Sequence, residues 1–129
     1  MNTKLLMILS AVLMGAVGVV LTFAPQEVLT SLDLQAVPAT NLGALLLQVL
    51  GALYFAFAMV NWTSKANLIG GIYGRPIAIG NLTHFVIGAL ALVKGYLAFN
   101  QIIVLIAAIA YAVFAVLFTI VFFRHPVKS

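Results

Sequence analysis

The segment IAIGNLTHFVIGALALVKGYLAF (residues 77–99) runs through Asn100-Gln101 into IIVLIAAIAYAVFAVLFTIVFF (residues 102–123). A helix that crosses a bilayer needs roughly 20 mostly apolar residues. Both runs meet that length, and between them Lys94 is the one Lys, Arg, Asp or Glu. Two polar residues leave room for nothing but a tight turn between antiparallel helices. The stretch therefore predicts a helical hairpin built for hydrocarbon.

The first half of the chain repeats the plan with a longer connection. An apolar run from Leu5 to Ala24 follows Lys4 and stops at Pro25. A second, LGALLLQVLGALYFAFAMVNW, covers Leu42 to Trp62 and ends on an indole suited to the membrane interface. Between them, residues 26–41 hold both acidic residues, Glu27 and Asp33, and a second proline, Pro38. Val28, Leu29 and Leu32 there predict a short amphipathic turn lying on the membrane surface. In residues 63–76, Gly70, Gly71 and Gly74 punctuate a loop, and Pro76 suits the first turn of a new helix. The first run also has a signal-peptide reading, with Thr22 and Ala24 at cleavage-like spacing. Its run of 20 residues exceeds the usual h-region of about 7 to 15, and Pro25 disfavours cleavage, so an anchored helix is expected.

Composition agrees. Of 129 residues 65% are hydrophobic, and only six Lys or Arg and two Asp or Glu are present, against about a quarter charged in a soluble domain. The expected fold class is all-α: an integral membrane four-helix transmembrane bundle, spans about 5–24, 42–62, 77–99 and 102–123, in a single domain over 1–129. The absence of cysteine removes disulfides, thiolate metal sites and a cysteine nucleophile. The net charge of +4 is scattered in ones and twos, which points to topology and not to nucleic acid. Four spans place Lys4, Lys65, Arg75, Arg124 and Lys128 on one side and Lys94 alone near the other. By the positive-inside rule both termini are expected in the cytoplasm, with a single direction of insertion.

Polar side chains are costly in hydrocarbon, so those inside the spans are the candidates for function. Asn81, His84, Gly88, Ala91 and Gly95 recur every three or four residues and form one small, polar face of the third span. Counting along the helices at about 1.5 Å per residue brings Tyr54, and about a turn deeper Tyr111, near the level of His84. Asn81, His84, Tyr54 and Tyr111 are thus the candidate lining of an inner-half pocket. The plainer reading makes them hydrogen-bonded packing groups that hold helices together. Gln48 and Lys94 form a second candidate pair near the outer ends of their helices. Lys94 there either meets an anionic group or snorkels to the surface. No metal site is expected from His84 and His125, which are far apart. Small residues at Ala11, Gly15, Gly18, Gly43, Gly51, Ala107 and Ala115 suggest close helix approach, within the chain or to a second copy.

No acidic residue lies in any span, which argues against a proton-coupled cation exporter that uses a membrane carboxylate. There is no P-loop, dinucleotide fingerprint, HExxH or carboxylate pair. Ser10 has no neighbouring acid, so hydrolysis is unsupported and no catalytic residue is assigned. The sequons Asn61-Trp62-Thr63 and Asn81-Leu82-Thr83 fall at a cytoplasmic boundary and within a span, so neither is expected to be glycosylated.

A first span ending Phe23-Ala24-Pro25, then Val28-Leu29-Thr30-Ser31-Leu32, then Leu50-Gly51-Ala52-Leu53-Tyr54 leading to Asn61-Trp62, resembles the small bacterial four-helix membrane proteins described as DoxX-like. The resemblance covers most of the chain in layout and implies a four-helix inner-membrane protein. A basic residue that this group often carries near the start of the second span is absent, with Gln48 in that region. Three functions follow as expectations. The first is a non-enzymatic protein binding or passing a small apolar ligand, a lipid or quinone, with no cofactor assigned. The second is an assembly module for a partner membrane protein or a second copy. The third, implied by the resemblance alone, is a membrane subunit of a redox enzyme.

Overall fold

A computed structural model describes residues 2–31, 41–66 and 74–124, and all of its regular structure is helical. The elements are α1 (Thr3–Phe23), α2 (Pro25–Ser31), α3 (Asn41–Ser64), α4 (Arg75–Phe99) and α5 (Ile102–Phe123). Four of them, all but α2, are long and apolar enough to cross a membrane. The four predicted runs are thus helices, with ends displaced by a few residues. At the start of α1 the Asn2 side chain caps the helix, its Oδ1 accepting from the Leu5 N–H at 3.1 Å. Pro76 sits in the first turn of α4 as expected.

The predicted amphipathic turn is the helix α2, opened by the buried Pro25. The residue before a proline is driven out of helical geometry. Ala24 accordingly leaves the helix at φ −131° and ψ 48° while its N–H still closes on the Val20 carbonyl at 2.8 Å. Leu32, the third apolar residue of that turn, lies outside the described residues, as do Asp33 and His125.

The chain divides into two compact units, residues 2–65 and 66–129. In the first, α1 and α3 form an antiparallel hairpin against which α2 packs. Its seam follows a seven-residue beat, with Met7, Met14 and Leu21 buried on α1 and Ala44, Gly51 and Ala58 on α3. That 3.5-residue spacing keeps one stripe of each helix facing its partner. The backbones approach closely at Gly18 and Gly51. A Cβ on Gly18 would stand 2.8 Å from the Gly51 carbonyl oxygen and 2.9 Å from the Phe55 nitrogen.

The second unit is the α4–α5 hairpin. Asn100 closes it in the left-handed conformation, φ 53°, which Asn adopts more easily than most residues, and its N–H bonds the Tyr96 carbonyl at 2.8 Å. Gln101 then starts α5, so the two-residue turn is as the sequence predicts. The buried stripe reads Ala78, Asn81 and Phe85 on α4 against Ala108, Tyr111, Ala115, Phe118 and Val121 on α5.

Candidate functional site

Of the six candidate residues, Gln48 and Tyr54 belong to the first unit and Asn81, His84, Lys94 and Tyr111 to the second. His84 and Tyr111 are brought together, His84 Nε2 lying 2.9 Å from the Tyr111 hydroxyl. Gly88, one turn along α4, makes the room. A Cβ there would lie 2.5 Å from Cε2 of the tyrosine ring, so the phenol lies against bare backbone. Beneath the pair, the fully buried Phe85 meets Tyr111 edge-on and stacks on Phe114 and Phe118, with centroids 5.0, 5.0 and 5.6 Å away. The result is an aromatic wedge with one imidazole–phenol bond at its edge.

Asn81 is completely buried and gives its amide to the Ile77 carbonyl of its own helix at 2.9 Å. Ala91, placed on the same expected face, is instead exposed, while Gly95 approaches Val104. The actual seam of α4 therefore turns slightly from the predicted one and includes Phe85. Lys94 is exposed near the end of α4, where its stem can lead the ammonium toward the surface. Tyr54 is half-buried on α3, and the exposed Gln48 donates from Nε2 to the Thr22 carbonyl at 3.3 Å.

A second polar knot, in the first unit, was not predicted. Asn61 is fully buried and donates from Nδ2 to Ser10 Oγ at 3.0 Å, with Met14 Sδ 3.9 Å away. The Ser10 hydroxyl in turn donates to the Met7 carbonyl at 3.0 Å. The hydroxyl is thereby committed in both directions. Asn61 reads in the sequence as part of a sequon; its signal as a packing residue is an amide one position inside the interfacial Trp62. At that same end Lys65 Nζ stands 3.3 Å over the Trp62 ring, a cation–π contact.

Each buried side-chain nitrogen and oxygen among the described residues has a hydrogen-bond partner. No three His, Cys, Asp or Glu side chains among them gather as metal ligands. Along one side of the α1–α3 hairpin lie two adjoining apolar grooves. One, of about 250 Å³, is lined by Ala11, Val12, Gly15, Phe55, Ala58, Met59 and Trp62. The other, of about 430 Å³, is bounded by Gly18, Val19, Thr22, Phe23, Ala52, Phe55 and Ala56. Phe55 is common to both.

Compared with protein families, curated proteins and solved structures, the chain matches none. Its chemistry must therefore be argued from its own residues. The His84–Tyr111 bond should behave as a modest interhelical tie. In a double-mutant cycle of His84→Ala and Tyr111→Phe, unfolding in detergent should give a coupling of about 1 kcal/mol, in the range of such bonds in membranes. A coupling near zero would show that the two side chains do not bond.

Proposed function

We propose that the chain is a multi-pass protein of a bacterial inner membrane, both termini in the cytoplasm, that holds a small, largely apolar molecule such as a lipid or quinone against its helices. Membrane embedding is supported by the outward faces. Leu46, Leu53, Leu90, Leu97 and Ile102 are each more than 60% exposed, and such a surface in water is an aggregation liability. Orientation is supported hairpin by hairpin. Lys4 and Lys65 lie at one end of the first, opposite α2 and Glu27, while Arg75 and Arg124 lie at the open end of the second. Each hairpin thus carries its own charge bias in the positive-inside sense. Reporter fusions after Ser129 and near Gln35 should report cytoplasmic and periplasmic locations respectively. A periplasmic tail would overturn this orientation.

The ligand reading is carried by the paired grooves of the first hairpin, whose walls are apolar and of which the larger, about 430 Å³, falls in the usual range of about 300–1,000 Å³ for small-molecule sites. Mass spectrometry of gently purified protein should find about one retained small molecule per chain. Ala52→Leu with Ala56→Leu, both at exposed positions on the larger groove, should reduce that occupancy at least fivefold with little effect on folding. His84→Ala, whose bond is internal to the α4–α5 hairpin, should leave it intact. The assembly-module reading is favoured by the way His84–Tyr111 and Asn61–Ser10 satisfy each other within a hairpin. A stoichiometric protein partner in place of a small molecule would establish it instead.

A further inference from the structure

The grooves have a direction. On α1 their wall runs from Ala11 to Phe23, about 18 Å at the rise of an α-helix, more than half of a hydrocarbon core about 30 Å thick. Their walls offer side chains of Val, Ala, Phe and Met and almost no polar group. A narrow apolar channel of that length along a helix pair matches one extended acyl chain better than a compact ring system.

The two ends differ in charge. One end is Trp62, with the Lys65 ammonium stacked over its ring and Lys4 at the same end of the hairpin. The other end is neighboured by α2 with Glu27, and among the described residues of this hairpin it carries no Lys or Arg. A cation held on an aromatic face keeps its N–H donors for an acceptor, because the ring contact uses charge and not a directed hydrogen bond. On the basis of the ligand reading above, we propose that the occupant is an anionic phospholipid, with an acyl chain in the α1–α3 groove and the headgroup phosphate at Lys65 and Trp62. The indole anchors at headgroup level, and the ammonium supplies the preference for negative charge.

The full chain, reconstituted into nanodiscs of equimolar phosphatidylglycerol and phosphatidylethanolamine and re-extracted in mild detergent, tests this by the lipid that stays bound. Wild type should retain phosphatidylglycerol over phosphatidylethanolamine by about fivefold, the scale of one basic residue at a membrane surface. Lys65→Gln should lower that ratio several-fold with total bound lipid little changed, whereas the Ala52→Leu, Ala56→Leu pair should lose both lipids. Retention in the bulk ratio, or a ratio untouched by Lys65→Gln, overturns the anionic-lipid assignment and leaves the ligand reading standing. Wild type that retains no lipid of either kind overturns the assignment, and a quinone found instead in the protein as purified before reconstitution does so while keeping the ligand reading. A lipid-free dimer would make a second copy of the chain the occupant and defeat both.

Discussion

Gly18→Leu should be the most damaging single substitution in the first hairpin, costing about 3 kcal/mol or more in a detergent-unfolding titration, at the upper end for overpacked sites. The reason is that the neighbours of the missing Cβ are backbone atoms. The Gly51 oxygen and Phe55 nitrogen at 2.8 and 2.9 Å have no rotamer by which to retreat. The relation is mutual, since a Cβ on Gly51 would stand 2.8 Å from the Gly18 oxygen and 2.5 Å from Thr22 Oγ1. Even Gly18→Ala should force the helices apart. Gly15→Ala is the control, because its Cβ would meet only the Ala58 Cβ at an ordinary 3.5 Å. It should be neutral or gain about 0.5 kcal/mol from helix propensity. Equal stabilities for the two alanine variants would mean that the helices do not cross at Gly18.

Phe85→Ala should have a comparable effect on the second hairpin. The side chain is fully buried and in ring contact with Tyr111, Phe114 and Phe118. Removing it opens a cavity among rigid rings that cannot collapse into it, a change costing about 3 kcal/mol in well-packed interiors. Phe85→Leu refills most of the volume and should recover more than half of that loss. The environment of Tyr111 should change as well, so its near-ultraviolet circular dichroism band should weaken in the alanine variant and return in the leucine one. An alanine variant within 1 kcal/mol of wild type would show that the rings are not packed as described.

The helical plan was legible because it depends on contrast. Charged and proline-bearing segments stand out against apolar runs, so the four long helices and the Asn100-Gln101 turn could be placed from residue type alone. Boundaries were less so. Asn2 belongs to the start of α1 through the hydrogen bond its side chain accepts, and Arg75 opens α4 ahead of Pro76, details that hydropathy undervalues. His84 and Tyr111 were visible as polar residues at neighbouring depths, and their bond follows once Gly88 lets the ring approach. Phe85 was invisible, since one more aromatic in an apolar run carries no contrast. Asn61 stood out only as part of a sequon discounted for its place at a span end, and its pairing with Ser10, far away in sequence, needed the register of two helices. The grooves depend on which side chains are absent between two helices, a property of shape that no spacing announces.

The two connections also set an order of events. Helices α4 and α5 are separated by two residues, whereas α1 ends at Phe23 and α3 begins only at Asn41. Loop-closure entropy grows with the logarithm of the gap, so joining the first pair of long helices costs about 2 kcal/mol more than joining the second. In a chain made from its N-terminus, α1 must also wait for α3 to be synthesised, while α5 follows α4 at once. During that wait the bare backbone at Gly18 lacks the Gly51 backbone that later covers it, and the Ser10 oxygen lacks the Asn61 amide. The α1–α3 pairing is thus the stage at which misassembly has time to compete.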